Sequence, residues 1–196
     1  MFKMKVLSID VGEKNFAYSV IEINFEERKL VVNRIVLANA QAEKKKDRCI
    51  ANTCIALTTL FESDCLAISC DLVVIEQQVR SNARAQKLAQ HTWSYFNTKF
   101  LNTNKRVITI PASIKTQVLF DNTQPTPTDY RKRKQWSVST VMTGQLTTNA
   151  LVHGLEVTIP ESVLREISLL KKKDDVCDTI VQAVAYTINY MSKDHR

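Results

Sequence analysis

Acidic residues stand in this chain where apolar or cap residues would ordinarily suffice. Asp10 closes the apolar run KMKVLSID and Glu76 closes DLVVIE, while Asp174, Asp175 and Asp178 sit together ahead of the apolar pattern VCDTIVQAVAYTINYM. A charge at the end of a buried strand must reach solvent or find a partner, because an isolated ionised group in a protein interior is too costly. On a helix, positions 175 and 178 are i,i+3 and positions 174 and 178 are i,i+4, so either pair shares a face. If that face meets the ends of both strands, four carboxylates converge and repel unless a cation lies among them. Hard oxygen ligands select Mg²⁺ or Mn²⁺. Two such ions about 4 Å apart activate a water and stabilise the leaving oxygen of a phosphodiester. Taken singly, a strand-end acid is ordinarily a cap or a surface residue, and Asp174 and Asp175 suit a helix N-terminus electrostatically. The combination with a basic chain is what points to phosphodiester chemistry.

The elements that must position these acids are legible in outline. KMKVLSIDVG reads as a short strand, with Gly12 expected at positive φ in the turn that follows. FAYSVIEI and KLVVNRIVLA, joined by NFEERK, read as the second and third strands of an antiparallel meander. A helix is expected from Glu43 to about Phe61, followed by DLVVIE as a fourth strand buried on both faces. Residues 82–101 read as a long helix with Ala83, Leu88, Trp93, Phe96 and Phe100 among its buried positions, and KRVITIP as a fifth strand stopped by Pro111. Helices follow in ASIKTQVLF, YRKRKQWSVSTVM and TIPESVLREISLL, with a break at DNTQPTPTD and a poorly patterned stretch over 144–160. Val176, Ile180, Val184 and Ile188 give the last helix an apolar stripe. The order implies an α/β fold: a five-stranded mixed sheet, three antiparallel strands then two parallel, flanked by helices on both faces and forming one domain over 1–196.

Composition narrows the partner. The formal net charge is +7 with a pI near 9.2, and the excess is clustered in EKKKDR, YRKRK and KKKDD. Any single run is ordinarily a solvated face, but the clustering favours a polyanion. Arg80, Arg84 and Lys87 beside the start of the long helix, and Arg131, Lys132, Arg133 and Lys134 further on, are the candidate phosphate contacts. Five cysteines leave one over from any pairing, and no signal-peptide pattern precedes them, so a reduced intracellular setting is expected. Two C-x4-C pairs, Cys49/Cys54 and Cys65/Cys70, suggest zinc, but a helical pattern would splay the first pair across different faces. No apolar run approaches the roughly 18 residues of a membrane span. None of His91, His153 and His195 is in a catalytic context.

LSIDVGEKNFAYSVIE, VVIEQQVRSNARAQKLAQ, IPASIKTQVL and KKKDDVCDTIVQAVAY resemble, in order, the motifs of RuvC-type Holliday-junction resolvases of the RNase H-like (retroviral integrase) superfamily, the poxvirus branch most closely. The resemblance covers most of residues 4 to 190 and rests on four ordered motifs. It implies that Asp10, Glu76, Asp175 and Asp178 hold the metal, Mg²⁺ with Mn²⁺ as a substitute, that Asp174 is the helix cap, and that Lys115 is an active-site lysine. YRKRK, with Lys132 and Lys134, would be a second basic region near the substrate phosphates. The implied activity is metal-dependent endonucleolytic resolution of four-way DNA junctions by paired symmetric nicks, in viral recombination or replication intermediates at cytoplasmic replication sites. A near-two-fold junction calls for a homodimer, for which the aromatic-rich helix 82–101 is the candidate interface. No nucleotide cofactor or membrane partner is implied. Two departures stand out. Bacterial relatives carry an aromatic wedge shortly after the strand-4 glutamate, where this chain has Val79 and Arg80, and the segment between Lys134 and Asp174 is longer than expected.

Three other readings remain open at the level of sequence. The same acids could serve a nuclease of RNA–DNA hybrids or flaps, since they do not choose a substrate. DVGEKN also resembles the phosphate loop of actin-like sugar kinases and ATPases, but with only Gly12, Gly144 and Gly154 in the chain a second glycine-rich loop is missing. A DNA-binding protein that keeps the fold without cutting is the third.

Overall fold

The structure is a computed structural model that describes residues 3–41, 49–119 and 129–193. β1 (Lys3–Asp10), β2 (Phe16–Asn24) and β3 (Lys29–Ala38) form the antiparallel meander, and β4 (Leu72–Glu76) and β5 (Arg106–Ile110) extend it in parallel on the β1 side. The sequence predicts five strands, whereas the sheet has six, in the order β5-β4-β1-β2-β3-β6. The added β6 (Glu156–Thr158) runs parallel to β3 from Lys29↔Glu156 to Val31↔Thr158. It has three residues and a single buried side chain, Val157, too few to show a period-two pattern.

Alternation along the strands divides the core. Leu7, Ile9, Val73 and Ile75 face α1 (Ile50–Ser63), α2 (Cys65–Ser69) and α3 (Ala83–Lys99). Val6, Leu72 and Val74 face the opposite layer, made of α4 (Ile114–Leu119), α5 (Tyr130–Met142), α6 (Gln145–Val152), α7 (Glu161–Leu169) and α8 (Lys173–Lys193). Covering both faces explains why β1 and β4 read as continuous apolar runs rather than alternating ones. The same alternation sends Asp10, two residues beyond Ser8, and Glu76, two beyond Val74, to the α8 side. Parallel pairing of Ile9 with Ile75 sets the two acids side by side.

Several expectations need correction. Gly12 does not adopt positive φ; Gly144 (φ 76) and Gly154 (φ 72) do. Gly12 is needed for space instead, because a Cβ there would lie 2.8 Å from the Asn15 carbonyl oxygen. The helix expected from Glu43 is described from Ile50, capped by Cys49 Sγ accepting from the Asn52 N–H at 3.4 Å, and residues 42–48 lie outside the described residues. So do His195 and most of the DNTQPTPTD break.

α3 buries Ala85, Leu88, Thr92 and Phe96. Ala83, one residue inside the Asn82 cap, and Trp93, one residue off the buried stripe, are exposed, contrary to expectation. Tyr95 and Phe96 of this helix are taken up by the chain's own core, with rings 5.3 and 4.8 Å from that of Phe61, whereas Trp93 is not. All five cysteines are free, with Cys70 and Cys177 buried. Among the described residues no helix is long and apolar enough to cross a membrane.

Candidate active site

An open cleft of about 350 Å³ lies where β1 and β4 end against α4, α5 and α8, and its walls include Asp10, Glu76, Lys115, Lys134, Ser137 and Asp178. Each acid arrives by the regularity of its own element. Asp10 and Glu76 are the last residues of adjacent strands. Asp175 and Asp178, both 7% exposed, lie one turn apart on α8, and their stripe continues to the buried Gln182. The Gln182 carboxamide donates to the Ile9 and Val74 carbonyls, at 3.4 and 3.3 Å, which pins α8 across the two strands that carry Asp10 and Glu76. Asp10, Glu76 and Asp178 thus share the cleft, while Asp175, one turn back on α8, is held beside it by Lys134.

Two ammonium groups stand among them. Lys115 Nζ donates to Glu76 Oε2 at 2.9 Å and lies 3.5 Å from Asp178 Oδ1. Lys134 Nζ hydrogen-bonds Asp175 Oδ1 and lies 3.2 Å from Asp174 Oδ2 and 3.7 Å from Asp178 Oδ2. Burial by itself would lower both lysine pKa values. Asp178, Glu76 and Asp10 outweigh it at Lys115, and the Asp175 hydrogen bond with Asp178 and Asp10 outweighs it at Lys134, so both are raised. Asp10 moves the other way from an ordinary carboxyl, up to about 8, first through burial and then through Glu76 and Asp178, despite the two lysines. Burial also raises Asp175, against the pull of Lys134.

Among the described residues no three Asp, Glu, His or Cys side chains gather around a common point as a metal would draw them. The lysines explain this, since each collects acids around its own nitrogen. The donor set still suits a hard divalent cation. All of its atoms are carboxylate oxygens, and Asp175 Oδ2 is buried without a hydrogen-bond partner.

The basic residues divide. Arg131, Lys132 and Arg133 are exposed on α5, and Arg133 reaches the cleft wall. Lys134, expected to continue that phosphate-facing run, turns inward to the acids because the next residue along a helix points about 100° away. Arg80 and Lys87 are exposed, while Arg84 is bound to Glu13. Asp174 lies within the first turn of α8 and bridges Lys134 and Lys172 rather than capping from outside.

Sequence reasoning missed Ser137, whose hydroxyl donates to Asp178 Oδ1 at 2.5 Å, and also Gln182. Both were findable: Ser137 is three residues from Lys134 on α5, and Gln182 is four from Asp178 on α8.

The profile of the family described as poxvirus A22 protein matches residues 4–190. Uncharacterized protein 170L of Invertebrate iridescent virus 6 is 29% identical over 139 residues, 62% of this chain and 52% of that protein, so the chain spans about half the length of the curated relative it matches. Among solved structures, the fowlpox virus resolvase in complex with substrate Holliday-junction DNA superposes with a TM-score of 0.64 at 16% identity, covering 98% of this chain and 100% of that one. The yeast mitochondrial Holliday junction resolvase gives 0.59 at 18% identity, covering 97% and 82%. At such identities the likeness is one of fold.

Proposed function

The chain belongs to the poxvirus A22 protein family, and from that premise we propose that it is a metal-dependent endodeoxyribonuclease that resolves four-way DNA junctions by paired symmetric nicks. The observation that carries this reading is that Asp10, Glu76 and Asp178 line one cleft with Lys115 among them at the ends of two parallel strands, with Asp175 one turn away on α8 and Arg133 on the cleft wall. The solved relative of similar fold from fowlpox virus is a resolvase bound to its junction substrate.

Asp10, Glu76, Asp175 and Asp178 are the residues to hold Mg²⁺, with Mn²⁺ as a substitute. A divalent cation there supplies a water of lowered pKa and charge stabilisation at the phosphoryl and leaving oxygens. The chain's own residues do the rest. Lys115, kept charged by the acids around it, offers its ammonium to charge developing on the phosphate. Ser137 fixes the orientation of Asp178 by occupying one of its oxygens. Lys134 neutralises Asp174 and Asp175, which lowers the repulsion among the carboxylates gathered at this end of α8. Arg131, Lys132 and Arg133 on one side of the cleft, and Arg80 and Lys87 beyond the other, track the phosphates of the arms. Arg84 joins them only by leaving Glu13.

Residues 1–196 act as one nuclease domain, and two copies, one per strand to be cut, match the symmetry of the junction. Sedimentation across a concentration series tests the second point, because a mass that stays monomeric throughout removes the dimer.

The deciding experiment sets the protein with Mg²⁺ against a synthetic four-way junction, a linear duplex and an RNA–DNA hybrid, beside Asp175→Asn. Paired nicks in the junction alone are expected. The substitution should cost at least about a hundredfold, the upper end of what changes in residues merely supporting metal ligands cost. Cutting confined to the hybrid replaces the substrate, and binding without metal-dependent cutting removes the enzyme.

A further inference from the structure

Next to the catalytic cleft is a second groove, about 490 Å³, that shares Glu76, Gln77 and Gln78 with it. Its far wall is the outer stripe of α3, where Gln86, Gln90 and Trp93 follow one another at i, i+4 and i+7. The chemistry of this groove differs from that of the rim around the acids. Among the described residues, Glu76 at the catalytic end is its only charged residue, and no lysine or arginine lines it.

Four carboxamides face the groove. Gln78 and Gln86 are held by donating to the Glu76 and Val79 carbonyls, each at 3.2 Å, which leaves their oxygens as acceptors. The side chains of Gln77 and Gln90 are exposed and have no protein partner among the described residues. Trp93 is 39% exposed, although Phe96 one turn further along the same helix is fully buried.

A phosphate backbone is held by cations, and among the described residues this groove offers none. Carboxamides pair donor and acceptor on the spacing of a base edge, and an exposed indole stacks on a base face. The groove begins at Glu76, so a strand whose phosphate lies over the acids can place a neighbouring base in it. We propose that this groove is a nucleobase subsite: an unpaired base beside the scissile phosphate stacks on Trp93 and is read by the carboxamides of Gln77 and Gln90, giving the enzyme a sequence preference for where it cuts. This rests on the nuclease reading above.

Two measurements test it. In the first, junctions randomised around the cut are digested by wild type, Gln90→Ala and Trp93→Ala, and the cut ends are sequenced. Wild type should favour one base at a fixed offset, and Gln90→Ala should flatten that preference while still cutting. Trp93→Ala should raise KM about fivefold to a hundredfold, the loss of one stacked base. A preference unchanged in both variants, or no preference in wild type, overturns the subsite and leaves the nuclease standing. Trp93→Ala that changes only the sedimentation coefficient assigns the groove to a protein interface and also overturns it.

The second measurement needs no cutting. The part of the fluorescence that Trp93→Phe removes should be quenched by junction DNA but not by the same junction made abasic at the offset position. Quenching with no cutting would fail the nuclease reading and keep the subsite, while equal quenching by both DNAs would remove it.

Discussion

Asp10 is a residue whose ionisation the fold resists, first through burial and then through Glu76 and Asp178. Its carboxyl is held up to about 8 against an ordinary value of 3.8, so the folded state binds a proton that the unfolded chain has released. That contribution to stability is complete below the ordinary carboxylate pKa and is lost as pH rises through about 8. The cation-free protein should therefore melt at progressively lower temperature between pH 4 and pH 8. Asp10→Asn should flatten the dependence, and Mg²⁺ should restore stability at the alkaline end by binding only the folded state. Differential scanning calorimetry with and without EDTA reads all three. Lys134 makes the complementary case. Lys134→Met removes the partly exposed partner of the buried Asp175, so the cost should stay below the roughly 3–5 kcal/mol of breaking a fully buried pair. Much of the lost Tm should return with Mg²⁺, whereas an equal loss in EDTA and in Mg²⁺ would mean the cation does not share those oxygens. The places of the four acids on their elements could be read from sequence because each ends a strand or repeats with a helical period. The inward turn of Lys134 could not, because YRKRK carries cations on every side and no apolar stripe tells one face from another.

Among the elements, the strands and the long helices were legible and the short connectors were not. β1, β4 and α8 carry strong apolar patterns that survive burial on both faces. α6 and β6 do not, yet α6 is bracketed by two glycines in the left-handed region, and that punctuation was the available signal. Gly12 belongs to this scale because it sets the path of the chain as it leaves Asp10. Gly12→Ala drives a Cβ to within 2.8 Å of a backbone oxygen. An overpacked site of this kind costs about 1–3 kcal/mol. The variant should also bind Mg²⁺ more weakly by isothermal titration, since the displaced loop starts two residues from a candidate ligand. On the other face, Asp64 caps α2 through the Leu66 and Ala67 N–H groups and accepts the buried Tyr18 hydroxyl at 2.5 Å. Asp64→Ala removes a cap and strands a hydroxyl, so roughly 2–4 kcal/mol of stability should go, read by urea denaturation. Cleavage at a temperature where the variant is folded should be unchanged.

For the whole molecule, Arg131, Lys132 and Arg133 form an exposed basic run on α5, of which Arg133 reaches the wall of the acidic cleft. Replacing exposed Arg131, Lys132 and Arg133 together should reduce the slope of log affinity against log salt by about 0.9 for each phosphate that is no longer neutralised. An unchanged slope would return that run to ordinary solvated surface. The family profile spans nearly the whole described fold, whereas the number of copies is not legible, because, of the α3 aromatics that suggest an interface, Tyr95 and Phe96 pack on the chain's own core and Trp93 stays exposed. α8, which brings Asp175, Asp178 and Gln182 to strands made from the first half of the chain, also sets a schedule. A ribosome that has released β1 through β5 has delivered Asp10 and Glu76 as two lone acids with nothing to complete them. On the nuclease reading, two of the four proposed ligands therefore join the site only once α8 has been synthesised and docked.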